Sequence, residues 1–192
     1  TLTLDKYADD ANLYDIKLIS TLGLTDDDVA AVKKIDGVDE VYPIYDEDAF
    51  IKVNNDDNEK IVKVLELNEE INKVKIKEGY IPKKQDECLI DNKMAEAGVK
   101  IGDYLTIIED IDEPEDENDE VEEPTYKQSK VKVTGIVTSP LYMSVERGST
   151  ALGNGKIDYF IYIPKSNIDS DIYSSIYVSV IGVDELDGLS EE

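Results

Sequence analysis

The stretch SSIYVSVIGV, residues 174–183, decides how this chain is organised. Its β-branched and aromatic residues are typical of a strand in the interior of a sheet. Far upstream, DIKLIS (residues 15–20) and VDEVYPIY (residues 38–45) also predict strands, with a helix between them. We therefore expect residues 174–183 to return to this N-terminal sheet, so that both ends of the chain build one lobe.

The start of the intervening helix is marked by its capping residues. Thr25 stands where an N-cap belongs, and Asp28 can complete a capping box with it. Three successive aspartates, residues 26–28, suit the positive end of the helix dipole. The buried face of this helix is predicted to consist of Val29, Val32 and Ile35.

From about residue 75 the pattern changes to short strands, with one short helix near NKMAEAG (residues 92–98). The predicted strands are KVKIKEG (73–79), ECLID (87–91), DYLTII (103–108), KVKVTGIVTS (130–139) and DYFIYIP (158–164). We predict an α+β chain with two lobes. Residues 1–74 and 171–192 form a mixed α/β lobe, which includes a hairpin around NNDDNE (residues 54–59), and residues 75–170 form an inserted β-rich lobe.

Composition removes several classes of function. The formal charge of −25, from 20 basic and 45 acidic residues, repels nucleic acid and anionic lipid. The chain has no histidine, and therefore no Ser-His or Cys-His nucleophile pair. Cys88 is the only cysteine, and its apolar neighbours predict a buried, unreactive side chain. The lack of histidine therefore excludes most hydrolase mechanisms.

The segment from residue 109 to residue 123 is strongly acidic, with eleven carboxylates in fifteen residues. An EF-hand loop needs a glycine for its sharp turn, and this segment contains none. Self-repulsion and the lack of apolar anchors favour a mobile hairpin tip over residues 109–126 instead of a calcium site. No metal site is predicted.

A glycine-rich loop, SPLYMSVERGSTALGNGK (residues 139–156), follows an apolar strand. It fails the phosphate-binding pattern, because a Walker loop places lysine directly after its second glycine and a hydroxyl next. The candidate contact residues of this loop are Tyr142, Met143 and Arg147, and the glycines that set its backbone are Gly148, Gly153 and Gly155. A purely structural loop between two strands is the alternative interpretation.

Three segments carry a resemblance to a known family. Residues 78–107 contain Gly79, Pro82, Glu87, Ala95 and the pair Gly102-Asp103 before a strand. Together with LISTLGLTDDDVAAVKKIDGVDEVYP (residues 18–43) and with residues 134–164, this stretch resembles the extracytoplasmic domains of FtsX-like, MacB-type ABC transporter permeases. The likeness covers nearly the whole chain.

The resemblance implies a non-catalytic domain at the extracytoplasmic face of the cell membrane, cut from a longer permease whose transmembrane helix continues into residues 3–13. Its first lobe would be membrane-proximal, and its partners would be a cytoplasmic ABC ATPase, a second permease copy and an extracellular protein or peptide. It would couple ATP hydrolysis to substrate export or to an extracellular event. The alternative from another class is a secreted or surface module that binds calcium or carbohydrate.

Overall fold

The structure is a computed structural model that describes residues 10–109, 124–144 and 146–182 of the 192. The predicted N-terminal helix and the acidic hairpin tip fall largely on residues outside these ranges. The strands are β1 (Ile16–Leu24), β2 (Val38–Ile44), β3 (Asp46–Val53), β4 (Lys60–Leu67), β5 (Lys75–Gly79), β6 (Glu87–Asp91), β7 (Tyr104–Ile108), β8 (Lys130–Thr138), β9 (Tyr159–Pro164) and β10 (Tyr173–Val180), and the helices are α1 (Asp26–Val32) and α2 (Asn92–Glu96). The predicted α+β class is confirmed.

A three-stranded antiparallel sheet joins the two ends of the described chain. Its order is β1-β10-β2, so the C-terminal strand lies in the middle. Ile176 of β10 pairs with Leu18 on one side and with Pro43 on the other. The prediction of a returning interior strand is confirmed.

Helix α1 covers one face of this sheet. The Asp28 carboxylate accepts a hydrogen bond from the Thr25 amide at 2.8 Å, as the capping pattern predicts. Val29 is buried against Val41 and Ile176. Ile35 is 58% exposed, so its predicted place on the buried face is wrong, because the helix ends at Val32 before reaching it.

The second sheet has seven strands in the order β5-β8-β6-β9-β4-β3-β7, and β7 pairs again with β8. This last pairing closes six of the strands into a barrel. β7 occupies the first part of one edge of β8, and β5 occupies the remainder of that edge. Side chains on alternate positions fill the interior, where Val62, Val133 and Ile161 are fully buried.

The pairing of β3 and β4 corrects the predicted domain boundary at residue 74. β3 pairs with β7 and β4 pairs with β9, so residues 46–67 belong to the barrel and not to the N-terminal sheet. The chain passes from one sheet to the other at Tyr45. The division into two lobes stays a prediction.

The two sheets are joined at Asp46, the first residue of β3. Its amide donates a hydrogen bond to the Ser174 hydroxyl of β10 at 2.9 Å. Its carboxylate lies 3.7 Å from the Lys17 ammonium of β1 and 3.8 Å from the Lys63 ammonium of β4. One side chain therefore bridges the small sheet and the barrel.

Within the described ranges, no helix has the length and apolar character needed to cross a membrane.

Candidate functional site

The glycine-rich loop joins β8 to β9 and lies on the outer surface of the barrel. The outward side chains of the barrel there form a second apolar cluster, which includes Leu65, Leu89 and Phe160. Tyr142 stacks on Phe160 with ring centroids 4.8 Å apart and an interplanar angle of 12°. The loop thus covers apolar surface that a barrel would otherwise expose to water.

Arg147 fixes the loop to the barrel wall. Its Nε donates to Asp91 Oδ2 at 2.6 Å, and its second terminal nitrogen donates to Asp91 Oδ1 at 3.0 Å. The side chains of Arg147 and Asp91 are 9% and 1% exposed. The guanidinium also lies over the rings of Tyr142 and Phe160, at 5.8 Å and 5.3 Å from their centroids. The two hydrogen bonds to Asp91 and the two ring contacts together hold Arg147, and with it the loop, in one position on the barrel.

Asp91 has a second role at the same place. Its Oδ1 accepts a hydrogen bond from the Lys93 amide at 3.0 Å and so caps α2. The carboxylate therefore links β6, α2 and the loop through two kinds of hydrogen bond. A change at residue 91 acts on all three elements.

The glycines of the loop adopt the conformation that the sequence predicts. Gly148, Gly153 and Gly155 have φ values of +108°, +46° and +80°. A Cβ atom on Gly153 would lie 2.8 Å from Ile61 Cδ1, so this glycine also permits close packing on the barrel. The amide of Ile157 donates to the Gly148 carbonyl at 3.1 Å and closes the loop into a compact turn.

Met143 is a large apolar side chain of this loop that faces solvent, with 65% of its surface exposed. It borders a cleft of about 280 Å³ between the loop and α2. A wider cleft of about 670 Å³ lies on the other side of Arg147, with Lys156 and Tyr159 in its wall. Both clefts are therefore lined in part by Arg147 and Lys93.

The six predicted site residues lie in this one loop, but they differ in kind. Arg147 and the glycines hold the loop in place, Tyr142 covers the barrel and Met143 faces solvent. Asp91 and Phe160 were missed by sequence reasoning. Their only sequence signal is a carboxylate at the end of the predicted strand ECLID and an aromatic residue within DYFIYIP, neither of which indicates a partner.

Burial shifts the pKa of two ionisable side chains in this part of the molecule. Cys88 is fully buried, and burial raises the pKa of its thiol, so it is kept in the neutral form. Burial likewise raises the pKa of the Tyr142 hydroxyl. Among the described residues no three carboxylates or thiols converge in a way that could hold a metal ion.

Comparison with known proteins gives one family. A family model described as the MacB-like periplasmic core domain matches residues 2–192. This chain belongs to that family. It is therefore an extracytoplasmic domain of an ABC transporter permease of the MacB type, as the three segments of the sequence indicate.

Solved structures of other proteins are similar to this MacB-like domain to differing degrees. The extracellular domain of the noncanonic ABC-type transporter YknZ from Gram-positive bacteria is 15% identical, with a TM-score of 0.50 over 86% of this chain and 78% of that one. The periplasmic region of MacB from Actinobacillus actinomycetemcomitans is 12% identical, with a TM-score of 0.48 over 85% of this chain and 66% of that one. A domain of a putative permease protein from Porphyromonas gingivalis is 16% identical, with a TM-score of 0.44 over 84% of this chain and 62% of that one. No curated protein matches the chain.

Proposed function

We propose that this MacB-like domain couples ATP hydrolysis by a cytoplasmic ABC ATPase to substrate export or to an extracellular event, without catalysis and without a cofactor of its own. The observation that carries the proposal is the proximity of the two ends of the described chain. The Asp15 amide donates to the Val178 carbonyl at 3.0 Å, and the Asp15 carboxylate accepts from the Val180 amide at 2.7 Å. A domain inserted between membrane segments needs both of its ends at one place.

Movement of the membrane helices would then act first on the three-stranded sheet. From there it reaches the barrel through the chain passage at Tyr45 and through the Asp46 contacts with Lys17 and Ser174. The ion pairs at Asp46 are 3.7–3.8 Å long and partly exposed, so they can exchange partners at small cost. The joint between the two sheets is therefore the part in which we place the motion.

The loop between β8 and β9 supplies the contact surface in this proposal. The Arg147–Asp91 pair keeps the loop in one position on the barrel, so a shift of the barrel carries the loop with it. Met143 and the two adjoining clefts then meet an extracellular protein or peptide. A second permease copy would contact the edge strand β1, where Ile19 and Leu22 are 73% and 92% exposed.

A distance measurement tests the coupling in the full-length permease with its ATPase in lipid nanodiscs. Spin labels are attached at Lys34→Cys, beside the three-stranded sheet, and at Lys77→Cys, on β5. The native Cys88 does not react with the label because it is fully buried. The proposal expects the distance distribution between the labels to change when ATP is added and vanadate traps the complex. The matched control is a pair on the seven-stranded sheet and its loop, Lys77→Cys with Lys156→Cys, which keeps its distance.

Two results would contradict the proposal. One is an unchanged distance between residues 34 and 77 while ATP is being hydrolysed. The other is an equal change in an ATPase variant that binds no nucleotide. Turnover of any substrate by the isolated domain, abolished by replacing one carboxylate, would overturn the non-catalytic part.

A further inference from the structure

The N-terminal end of the described chain is attached to the seven-stranded sheet as well as to the three-stranded one. Asn12 and Asn72 both adopt the left-handed conformation, with φ values of +48° and +50°. The Asn72 amide donates to the Asn12 carbonyl at 2.8 Å, and the Lys73 amide donates to the Ala11 carbonyl at 2.7 Å. The two segments therefore lie side by side, and the second of them is the connection between β4 and β5.

The side chains of the two asparagines add two more hydrogen bonds between these segments. Asn12 Nδ2 donates to the Glu70 carbonyl at 2.6 Å, and Asn72 Oδ1 accepts from the Tyr14 amide at 3.1 Å. Asn72 is 6% exposed, so water has little access to its side chain. We call the four hydrogen bonds the asparagine clasp, which joins residues 11–14 to residues 70–73.

The attachment to the three-stranded sheet comes later along the chain and is more accessible to water. Asp15 is exposed, and it makes this attachment through hydrogen bonds with Val178 and Val180 of β10. Water can replace such bonds at small cost, whereas a buried acceptor that loses its donor is destabilising. The centre of the Tyr14 ring lies 4.7 Å from that of Tyr177 in β10, but this apolar contact has no fixed direction. The clasp is therefore the firmer of the two attachments.

We infer that the asparagine clasp makes the N-terminal end of the domain move with the seven-stranded sheet, while the C-terminal end moves with the three-stranded sheet. A displacement that enters from the N-terminal side meets the clasp before it reaches Asp15, and residues 70–73 are continuous with β4 and β5. A displacement from the C-terminal side enters β10, the central strand of the three-stranded sheet. This step rests on the proposed function: a change in the separation of the membrane segments becomes a relative movement of the two sheets.

Three distances between spin labels test this in the full-length permease with its ATPase in lipid nanodiscs. Asp10→Cys reports on the N-terminal end, Lys34→Cys on the three-stranded sheet and Lys77→Cys on β5 of the seven-stranded sheet. The labels are introduced two at a time. When ATP is added and vanadate traps the complex, we expect the distance between residues 10 and 77 to stay unchanged. The distances from residue 34 to residues 10 and 77 are both expected to change.

A double variant and a matched control assign this behaviour to the clasp. Asn12→Gly with Asn72→Gly removes both side-chain hydrogen bonds and keeps the left-handed backbone, which glycine adopts readily. In this variant the distance between residues 10 and 77 is expected to change on trapping, and the change between residues 34 and 77 should fall at least twofold. The control is Asn54→Gly, also at a φ of +48°, which removes a bond of the same kind, from the Tyr104 amide at 2.8 Å, within the seven-stranded sheet. It should leave all three distances as in the parent, and thermal unfolding verifies that each variant remains folded.

Two outcomes would overturn the inference and leave the proposed function standing. In the first, the parent permease changes its distance between residues 10 and 77 as much as its distance between residues 34 and 77. In the second, the change between residues 34 and 77 is the same in the double variant as in the parent. An unchanged distance between residues 34 and 77 in the parent would instead contradict the proposed function, and the role of the clasp with it.

Discussion

Arg147 and Asp91 form the most enclosed ion pair among the described residues, with side chains 9% and 1% exposed. Arg147→Met removes the guanidinium and leaves the Asp91 carboxylate buried, with the hydrogen bond from the Lys93 amide still present. We expect this variant to lower the free energy of unfolding by roughly 3–5 kcal/mol, the usual cost of an uncompensated buried charge. Urea denaturation monitored by circular dichroism measures it.

The matched control is Lys156→Met, which removes an exposed cation from the same loop and should change stability by less than about 0.5 kcal/mol. The double variant Arg147→Met with Asp91→Asn should cost clearly less than the sum of the two single variants, because no unpaired charge remains. Additive effects would mean that the two side chains do not stabilise each other.

The buried carboxyl group of Glu66 should make the stability of the fold depend on pH with the opposite sign to that of most carboxylates. Burial raises the pKa of this carboxyl, and the hydrogen bond from the Tyr45 amide, at 3.1 Å, offsets the effect only in part. The folded state therefore binds more protons than the unfolded state, and stability is lost as the pH rises from the ordinary carboxyl pKa through the raised one. Below that range the contribution is fully present.

Glu66→Gln keeps an oxygen acceptor for the Tyr45 amide and removes the buried charge. We expect it to be more stable than the parent chain at pH 7, with the difference vanishing below about pH 4, where the parent carboxyl is protonated in both states. Urea midpoints across pH 3–8 measure this, with Glu78→Gln on exposed β5 as the control. A variant less stable than the parent at pH 7 would show that the Glu66 charge stabilises the fold.

At the scale of elements, the local sequence pattern predicts the strands and helices better than it predicts which strands pair. The strands and the two helices lie where alternation and capping predict them, because those signals are carried by neighbouring residues. The placement of residues 46–67 was wrong because a hairpin has the same local pattern in either sheet. Its neighbours β7 and β9 come from distant parts of the chain, and only folding brings them together.

Separation along the sequence also limits how far the site can be predicted. Tyr142, Arg147 and the glycines are visible as an unusual loop, and their positive φ values follow from residue type. Asp91 is 56 residues from Arg147, and nothing in either local sequence indicates the pair. The sequence therefore located the loop without revealing what holds it.

Gly79, at the end of β5, shows how closely β5 approaches β8 in the seven-stranded sheet. Its φ is +83°, and a Cβ atom there would lie 2.1 Å from the Thr134 carbonyl and 2.8 Å from Gly135 Cα. These are backbone atoms that cannot rotate away. We expect Gly79→Ala to separate β5 from β8 and to destabilise the domain by more than about 2 kcal/mol, which denaturant unfolding measures.

Gly98 provides the control for the backbone contribution. Its φ is +111°, and a Cβ atom there would meet nothing within 4 Å. Gly98→Ala should therefore cost only the conformational strain of about 1 kcal/mol. Equal losses in the two variants would mean that strain alone, without the β5–β8 contact, explains the effect.

At the scale of the whole molecule, the two interiors are apolar, and the joint between the sheets combines polar contacts with a small apolar cluster. The core of the barrel and the core under α1 are separate clusters of buried side chains. Between them lie the Asp46 contacts and a small cluster of Ile44, Ile71 and Tyr177. Ion pairs and hydroxyl groups rearrange at lower cost than packed cores do, so a relative movement of the two parts is compatible with this construction.

Asp46→Asn tests how much that joint contributes. The substitution keeps the size of the side chain and the backbone contacts with Ser174, but it removes both partly buried ion pairs, to Lys17 and to Lys63. We expect a loss of roughly 1–2 kcal/mol in the free energy of unfolding, with less loss in 1 M NaCl because salt screens the pairs. Hydrogen exchange should quicken first at residues 44–46 and 173–175.

The matched control is Asp57→Asn. The Asp57 carboxylate is fully exposed and lies 3.7 Å from the Lys52 ammonium, so this ion pair lies within the barrel part and does not cross the joint. The substitution should change stability by less than about 0.5 kcal/mol and leave exchange at the joint unaltered. If Asp46→Asn quickened exchange throughout the barrel core, the two sheets would unfold as one cooperative unit. The joint could then not move independently of either core, and the proposed transmission through Asp46 would fail.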